Sequence, residues 1–450
     1  MSISAAEQYL IELINRARLD PVVEAARLKI SLNQGLTANT LGTQVRQALA
    51  PNELLENAAI GHSQWMLAAD VFSHTGKGGS SPGQRATNAG YVWNRVGENI
   101  SWQGTTGVLS LEKMISTQHD SLFKSASHRV NILQDAFREI GVAQEAGQFK
   151  SGAYNFNTSM LTENFGTSGS KVFLTGVAYT DIDKNNFYSV GEARAGVTIS
   201  AQGVTDITEA AGGYALALTA GAAVAVTGTV GTLAFSATVA LDNGNVKLDV
   251  VNGNTILSSG DITLGTGLHN VRLLGAAALD ATGNSLANAI TGNSAANVLS
   301  GGAGADGILG GAGADTLYGG ADADKLYGEA GFDFIYGGDG ADLLFGGSGS
   351  DRMSGGTGAD VMTGGLDRDT FVFMNRDGAD RIADYSVSLR ETLLLDDALW
   401  GGTVMTEAQV VKAYAKIVGG YVVFNFGEGD VLTLTGVRST TGLAALIDII

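Results

Sequence analysis

Three stretches of the chain, residues 5–18, 53–69 and 107–124, space their apolar residues as a helix would. In the first, Leu10, Leu13, Ile14 and Ala17 fall on one face, which predicts an amphipathic helix. The segment ending in Glu163-Asn164-Phe165-Gly166 reads as a strand that runs into small residues at 167–170. Residues 1–168 therefore read as one α+β domain. From Lys171 the period changes. Short runs rich in Val, Thr and Ala at 172–179, 195–201 and 214–218 are separated by turn residues, which predicts a β-sandwich over 171–250. Residues 251–282 form a strand-like flank. Strands return over 373–450, with one helical patch at 407–416.

Between these lies a nine-residue period without a slip. Asp or Asn recurs at Asn288, Asn297, Asp306, Asp315, Asp324, Asp333, Asp342, Asp351, Asp360 and Asp369, and an apolar residue follows two positions after each. Glycines open nearly every unit. A disordered linker has no reason to hold such a register, so residues 283–372 are expected to form a solenoid. Each unit supplies one glycine-rich reversal and one short strand. Two units make a full coil, and residues eighteen apart should stack at a strand spacing of about 4.8 Å.

Charge sharpens this picture. The chain carries a net charge of −18, yet residues 1–170 are nearly neutral and residues 281–372 hold a net of −9. Carboxylates stacked about 4.8 Å apart repel by about 1 kcal/mol in water and by about 3–4 kcal/mol at an effective dielectric of 20. One or two apolar side chains per unit would not offset that together with the ordering of glycine. A hard cation bridging carboxylates and turn carbonyls would, and oxygen-only ligation selects Ca²⁺.

These units resemble the calcium-binding nonapeptides of RTX (hemolysin-type) proteins, with the pattern GGxGxDxLx. The resemblance implies a parallel β-roll with Ca²⁺ in its turns, export by a type I secretion apparatus, and a capping and secretion-signal region at 373–450. Asn288 and Asn297 depart from the pattern, so weak or empty sites are expected there. The sequence has no cysteine, no long apolar run, and no basic region followed by an apolar stretch at its start. Disulfides and thiolate metal sites are excluded, and neither a membrane-spanning segment nor a cleavable N-terminal signal is expected. A secreted, extracellular or cell-surface location fits. The acidic balance disfavours nucleic acid as a partner.

A second calcium candidate lies at residues 181–192. Asp181, Asp183, Asn185, the carbonyl of Phe187 and Glu192 fall at positions 1, 3, 5, 7 and 12 of a twelve-residue loop. Asn186 stands where glycine is usual, and no helix pair flanks the loop. It resembles calcium loops in the repeat sandwiches of bacterial surface proteins.

Four of the five histidines, His62, His74, His119 and His128, fall before residue 130. They accompany Phe72-Ser73-His74-Thr75-Gly76, Gly97-Glu98-Asn99-Ile100, Ser127-His128-Arg129-Val130-Asn131-Ile132-Leu133, Glu139-Ile140-Gly141-Val142 and Glu163-Asn164-Phe165-Gly166. In this order the strings resemble bacterial members of the CAP superfamily (cysteine-rich secretory, antigen 5 and pathogenesis-related proteins). The resemblance implies an α-β-α sandwich over about residues 5–166, with a cleft of two His and two acidic residues able to bind a divalent metal. It assigns His74, Glu98 and His128 to three of those places. The fourth falls to His119, which would make the site better suited to Zn²⁺ than to Ca²⁺, or to Glu112. By spacing with Leu55, Ala58 and Met66, His62 reads as a packed core residue, while Asn99 and Arg129 read as partners of backbone groups.

The chemistry stays open at this level. There is no HExxH and no cysteine nucleophile. Gly79-Ser80-Ser81-Pro82-Gly83 matches G-x-S-x-G, but Pro82 makes it a loop rather than a strand–turn–helix elbow. A protein that binds a lipid, glycan or protein in the cleft, a secreted metal-dependent hydrolase, and a structural or adhesive surface protein all remain compatible with the residues.

Overall fold

The computed structural model describes residues 3–242 and 244–450, which fall into two compact units, one running to Gly260 and the other from Asp261.

The first unit opens on helix α1 (Ala5–Leu19). Ser4 and Glu7 close a capping box at its start, and Asp20 ends it while capping α2 (Pro21–Arg27). Asn52 caps α3 (Glu53–Ala69), Ser81 caps α4 (Pro82–Asn88), and α5 (Leu111–Lys124) and α6 (Ala126–Ile132) follow. Four strands, β1 (Ala50–Pro51), β2 (Arg95–Thr105), β3 (Glu139–Ser151) and β4 (Tyr154–Thr167), form a sheet in the order β1-β3-β4-β2. Leu10, Ile14, Leu122, Phe123, Ile132 and Phe165 meet in its main core. Helix α3 packs closely on β3 at Gly141, where an added Cβ would lie 2.0 Å from the Glu56 nitrogen. Helix α5 begins at Leu111, later than the apolar period over 107–124, because β2 runs on to Thr105 and Gly107 opens the connection.

The same unit holds a second β layer. Val172–Tyr179 pairs antiparallel with Gly213–Leu218 and parallel with Val246–Val251. Thr198–Ala201, Val204–Ile207, Val224–Val230 and Leu233–Val239 form the opposing antiparallel group. Helix α1 docks on this layer through buried charge. Lys247 Nζ lies 2.7 Å from Glu12 and also pairs with Asp249. The Asn245 side chain donates to the carbonyls of Ala48 and Arg138.

The second unit is a parallel β-solenoid. Strands eighteen residues apart lie side by side, carrying Leu299 onto Leu317, Ile335, Met353 and Phe371. The other face stacks Ile290, Ile308, Leu326, Leu344 and Met362 in the same way, and all of these side chains are buried. The coil is longer than its nonapeptides. Ile262–Leu264 and Asn270–Leu273 already pair with Asp280–Thr282 and Ala289–Thr291. Beyond them, Phe371 stacks on Leu393 and Met362 on Ile382.

Candidate functional site

On the first unit, β2 presents Glu98 and the loop after α3 presents His74. His74 Nδ1 donates to Glu98 Oε1 at 2.9 Å, and Arg85 of α4 holds Glu98 Oε2 at 2.5 Å. His74 is half exposed and Glu98 is buried. His62 of α3 stands 3.9 Å from the same carboxylate and donates from Nε2 to the Ser73 carbonyl. It is buried, as its helical spacing implies, but it also walls a hollow of about 440 Å³ with Trp65, Lys77, Ser80, Arg85 and Asn88. Trp65 stacks on its ring. Sequence reading missed Arg85; its place in the first turn of the helix that starts at Pro82 gave no sign that it would reach β2.

The segment around His128 is joined to β2 by hydrogen bonds from side-chain amides. Asn131 donates to the Glu98 carbonyl and to the Asn99 side chain, and Asn99 donates to the His128 carbonyl and to Glu163. His128 Nδ1 meets Ser125 Oγ at 2.7 Å. Arg129 is fully buried and donates to the carbonyls of Leu32, Phe123, Lys124 and Gln34, so it satisfies backbone groups. Burial lowers the proton affinity of His128, with the nearby His74 adding to the effect. Burial likewise lowers that of His62 against the pull of Glu98.

The fourth place of this cleft is not taken by the residues expected for it. His119 is buried on α5, with Nε2 3.1 Å from Glu24 Oε1, and Glu112 is exposed. An imidazole without solvent needs a partner, and α2 supplies one. Burial works against the charge of Glu24, but hydrogen bonds from His119 and Arg27, with Arg16 adjacent, hold its carboxyl below the usual range. Glu24, His119 and Asp120 do come together, yet Arg16 and Arg27 already neutralise that group. Among the described residues, His74, Glu98 and His128 do not bring three ligating atoms within 4.8 Å. With Arg85 on its carboxylate, the cleft does not fit Zn²⁺.

The loop at 181–192 has a different character. Asp181, Asp183 and Glu192 bring ligating atoms within 4.8 Å of one another. The Glu192 carboxylate is oriented by the amides of Ile182 and Ser189, and Asn185 bridges Asp181 and Asp183. Asn186 has φ of 56°, the left-handed turn that glycine serves elsewhere. The Phe187 ring leaves the loop to meet Tyr9 and Arg16 of α1.

In the solenoid, each Asp carboxylate uses one oxygen to accept the backbone N–H of the residue eighteen positions earlier. Asp306 donates to Asp324, Asp315 to Asp333, and so on to Asp351 and Asp369. The other oxygen, Oδ2, is buried without a partner at Asp306, Asp315, Asp324, Asp333, Asp342, Asp351, Asp360 and Asp369. Burial is the main reason these carboxyls are pushed up, Asp315 to about 6 and Asp324 to about 7, with repulsion between coils a smaller contribution. Eight orphan anionic oxygens in register fit a hard divalent cation. Asn288 and Asn297 end the rows with neutral amides whose Nδ2 atoms donate to the carbonyls of His269 and Leu279. The rows also continue where sequence reading stopped. Asp360 N–H donates to Asp380, and Glu391 precedes the strand that stacks on Thr370, each leaving an oxygen buried and unpartnered.

Comparison with known families matches this geometry. Residues 11–158 match the cysteine-rich secretory protein family, and residues 282–317, 308–335, 318–353 and 336–371 match the RTX calcium-binding nonapeptide repeat. The chain carries a CAP domain and RTX calcium-binding repeats. Among solved structures, it is similar to an extracellular protein containing a SCP domain from Bacillus anthracis str. Ames. The identity is 21% over 34% of this chain and 40% of that one, with a TM-score of 0.21. An outer surface protein of Borrelia burgdorferi gives 17% identity over 33% of this chain and 92% of that one, and an extracellular lipase of Serratia marcescens gives 15% over 40% and 41%, both at a TM-score of 0.21. The chain thus spans less than half the length of the Bacillus protein. No curated protein matches it by sequence.

Proposed function

We propose that this is an extracellular calcium-dependent protein whose CAP domain acts by binding a ligand in the cleft of His74, Glu98 and His128. The observation that carries the reading is the pairing of Glu98. Its two oxygens are taken by His74 and Arg85, so no open carboxylate is left to draw a proton from water. The adjoining hollow, with Trp65 on one side and Lys77 and Arg85 on another, has the mixed aromatic and cationic lining that suits a polar or anionic lipid, glycan or protein group. The RTX roll sets the compartment in this reading, because extracellular calcium modules work at about 10⁻⁴–10⁻³ M, levels reached outside cells. Export through a type I apparatus, with 373–450 as its signal region, belongs to the same proposal. So does a division of labour among 1–168, 171–250, 251–282, 283–372 and 373–450.

The test is binding of the calcium-loaded chain to glycan and lipid arrays. His74→Ala and His128→Ala should each weaken retention about tenfold while the fold is kept. Turnover of ester, phosphodiester or peptide substrates by the wild type, lost in His128→Ala, would establish the hydrolase instead. Retention unchanged in both variants would place the activity in an adhesive surface elsewhere.

A further inference from the structure

Among the described residues, Lys247 is the one buried lysine. It is 4% exposed on the strand Val246–Val251, and the carboxylates beside it are as deeply buried, Asp249 of the same strand at 3% and Glu12 of α1 at 2%. Lys247 Nζ lies 2.7 Å from Glu12 Oε2 and also meets Asp249 Oδ2. The remaining oxygens are held in place. Asp249 Oδ1 accepts the Val177 N–H at 2.9 Å, and Glu12 Oε1 accepts from Gln8 Nε2 at 2.9 Å. The His74/Glu98 cleft uses none of these groups.

Two carboxylates against one ammonium leave a surplus negative charge away from water, which is costly. The surplus is relieved at Glu12. Burial pushes its carboxyl up against the pull of Lys247, and Asp249 adds to the effect. Burial also works against the charge of Lys247, but Asp249 and then Glu12 hold the ammonium. The three groups in contact are thus a carboxylic acid, an ammonium and a carboxylate, which supply an acyl group, a nucleophile in its conjugate-acid form and a base. We propose that Lys247 and Glu12 condense into an isopeptide bond with Asp249 as the base. Asp249 Oδ2 takes one proton from Nζ, and the freed amine attacks Glu12 Cδ. The N–Cδ bond forms, one Cδ–O bond breaks, and the hydroxyl leaves as water with a second proton from Nζ. The first proton stays on Asp249. Gln8 Nε2 donates to the oxygen on which charge develops. The product is a neutral amide, a neutral acid and water, so the buried ion pair disappears. Fixed contact replaces a bimolecular encounter, and exclusion of water opposes the reverse hydrolysis. The bond fastens α1 covalently to the β layer.

Mass spectrometry of the folded full chain tests it. The wild type should be lighter than its sequence by one water. Trypsin should leave Lys247 uncut and release residues 1–16 joined to the peptide that carries it. Lys247→Met should show the full mass and release residues 1–16 free. That variant leaves two carboxylates buried without their cation, so the wild-type mass and digest serve as the measurement that does not depend on its folding. A wild type of full mass would overturn the proposal, as would a Lys247→Met chain equally light. Loss of one water with residues 1–16 still free would overturn it too, placing the bond at Asp249 or a succinimide elsewhere.

Discussion

Single residues show most clearly where burial and charge are in tension. Glu163 lies on β4 of the first unit with one oxygen on Asn99 and the other unpartnered, and burial pushes its carboxyl up to about 7. The native state therefore holds a proton that the unfolded chain releases near pH 4.5. Its contribution to stability is complete below that value, falls as pH rises toward about 7, and is flat above. Glu163→Gln should flatten the slope and stabilise the domain at pH 8 by up to about 3 kcal/mol. Urea unfolding followed by tryptophan fluorescence at pH 5 and pH 8 reads this, and a variant that kept the wild-type slope would show that Glu163 is ionised in the native state. The same residue scale is where sequence reading was least sufficient. His74 and Glu98 could be named from their motifs, but Arg85 and the His119–Glu24 pair depend on which helix faces which, and local spacing does not carry that.

At the scale of elements, the roll was legible because every unit repeats the same physical problem. A reversal must be made, an apolar side chain buried and a carboxylate placed, and nine residues do all three. The reading stopped at Asp369 because the period does, not because the coil does. Asp380 follows Asp360 after twenty residues and Glu391 follows Asp369 after twenty-two, with longer loops absorbing the difference. The energetics also differ from a simple stack of like charges. Desolvation outweighs coil-to-coil repulsion at each Asp, so a bound cation would matter chiefly as a partner for a buried oxygen. Asp333→Asn removes one such oxygen in mid-row and leaves an amide that can still accept the Asp315 N–H. It should lower the bound Ca²⁺ count and raise the midpoint of calcium-induced β signal at least a few-fold. Gln in place of Asn297, already neutral, should leave both nearly unchanged. Equal effects from the two would mean that the carboxylates are not the ligands.

For the molecule as a whole, the two units have different sources of stability. The first closes over an ordinary apolar core, and the buried contact of Lys247 with Glu12 and Asp249 ties α1 of the CAP domain to the β layer that follows it. Breaking such a pair from one side leaves an uncompensated charge, so CAP domain and β layer should unfold together. The second unit has thin coils whose interior is one column of apolar side chains per sheet, bordered by unpaired carboxylates. Removing calcium should therefore unfold residues 261–450 and spare residues 3–260. Trp65, Trp93 and Trp102 report on the first unit, and Trp400→Phe would silence the tryptophan in the second. In excess chelator the far-ultraviolet β signal should fall while the remaining fluorescence, and its urea midpoint, stay close to those of the calcium-loaded protein. A small loss of midpoint is allowed for, since Asp181, Asp183 and Glu192 lie within the first unit. If fluorescence and β signal collapsed together, the calcium in the loop at 181–192 would be holding the first unit, and the independence inferred from its core would be refuted.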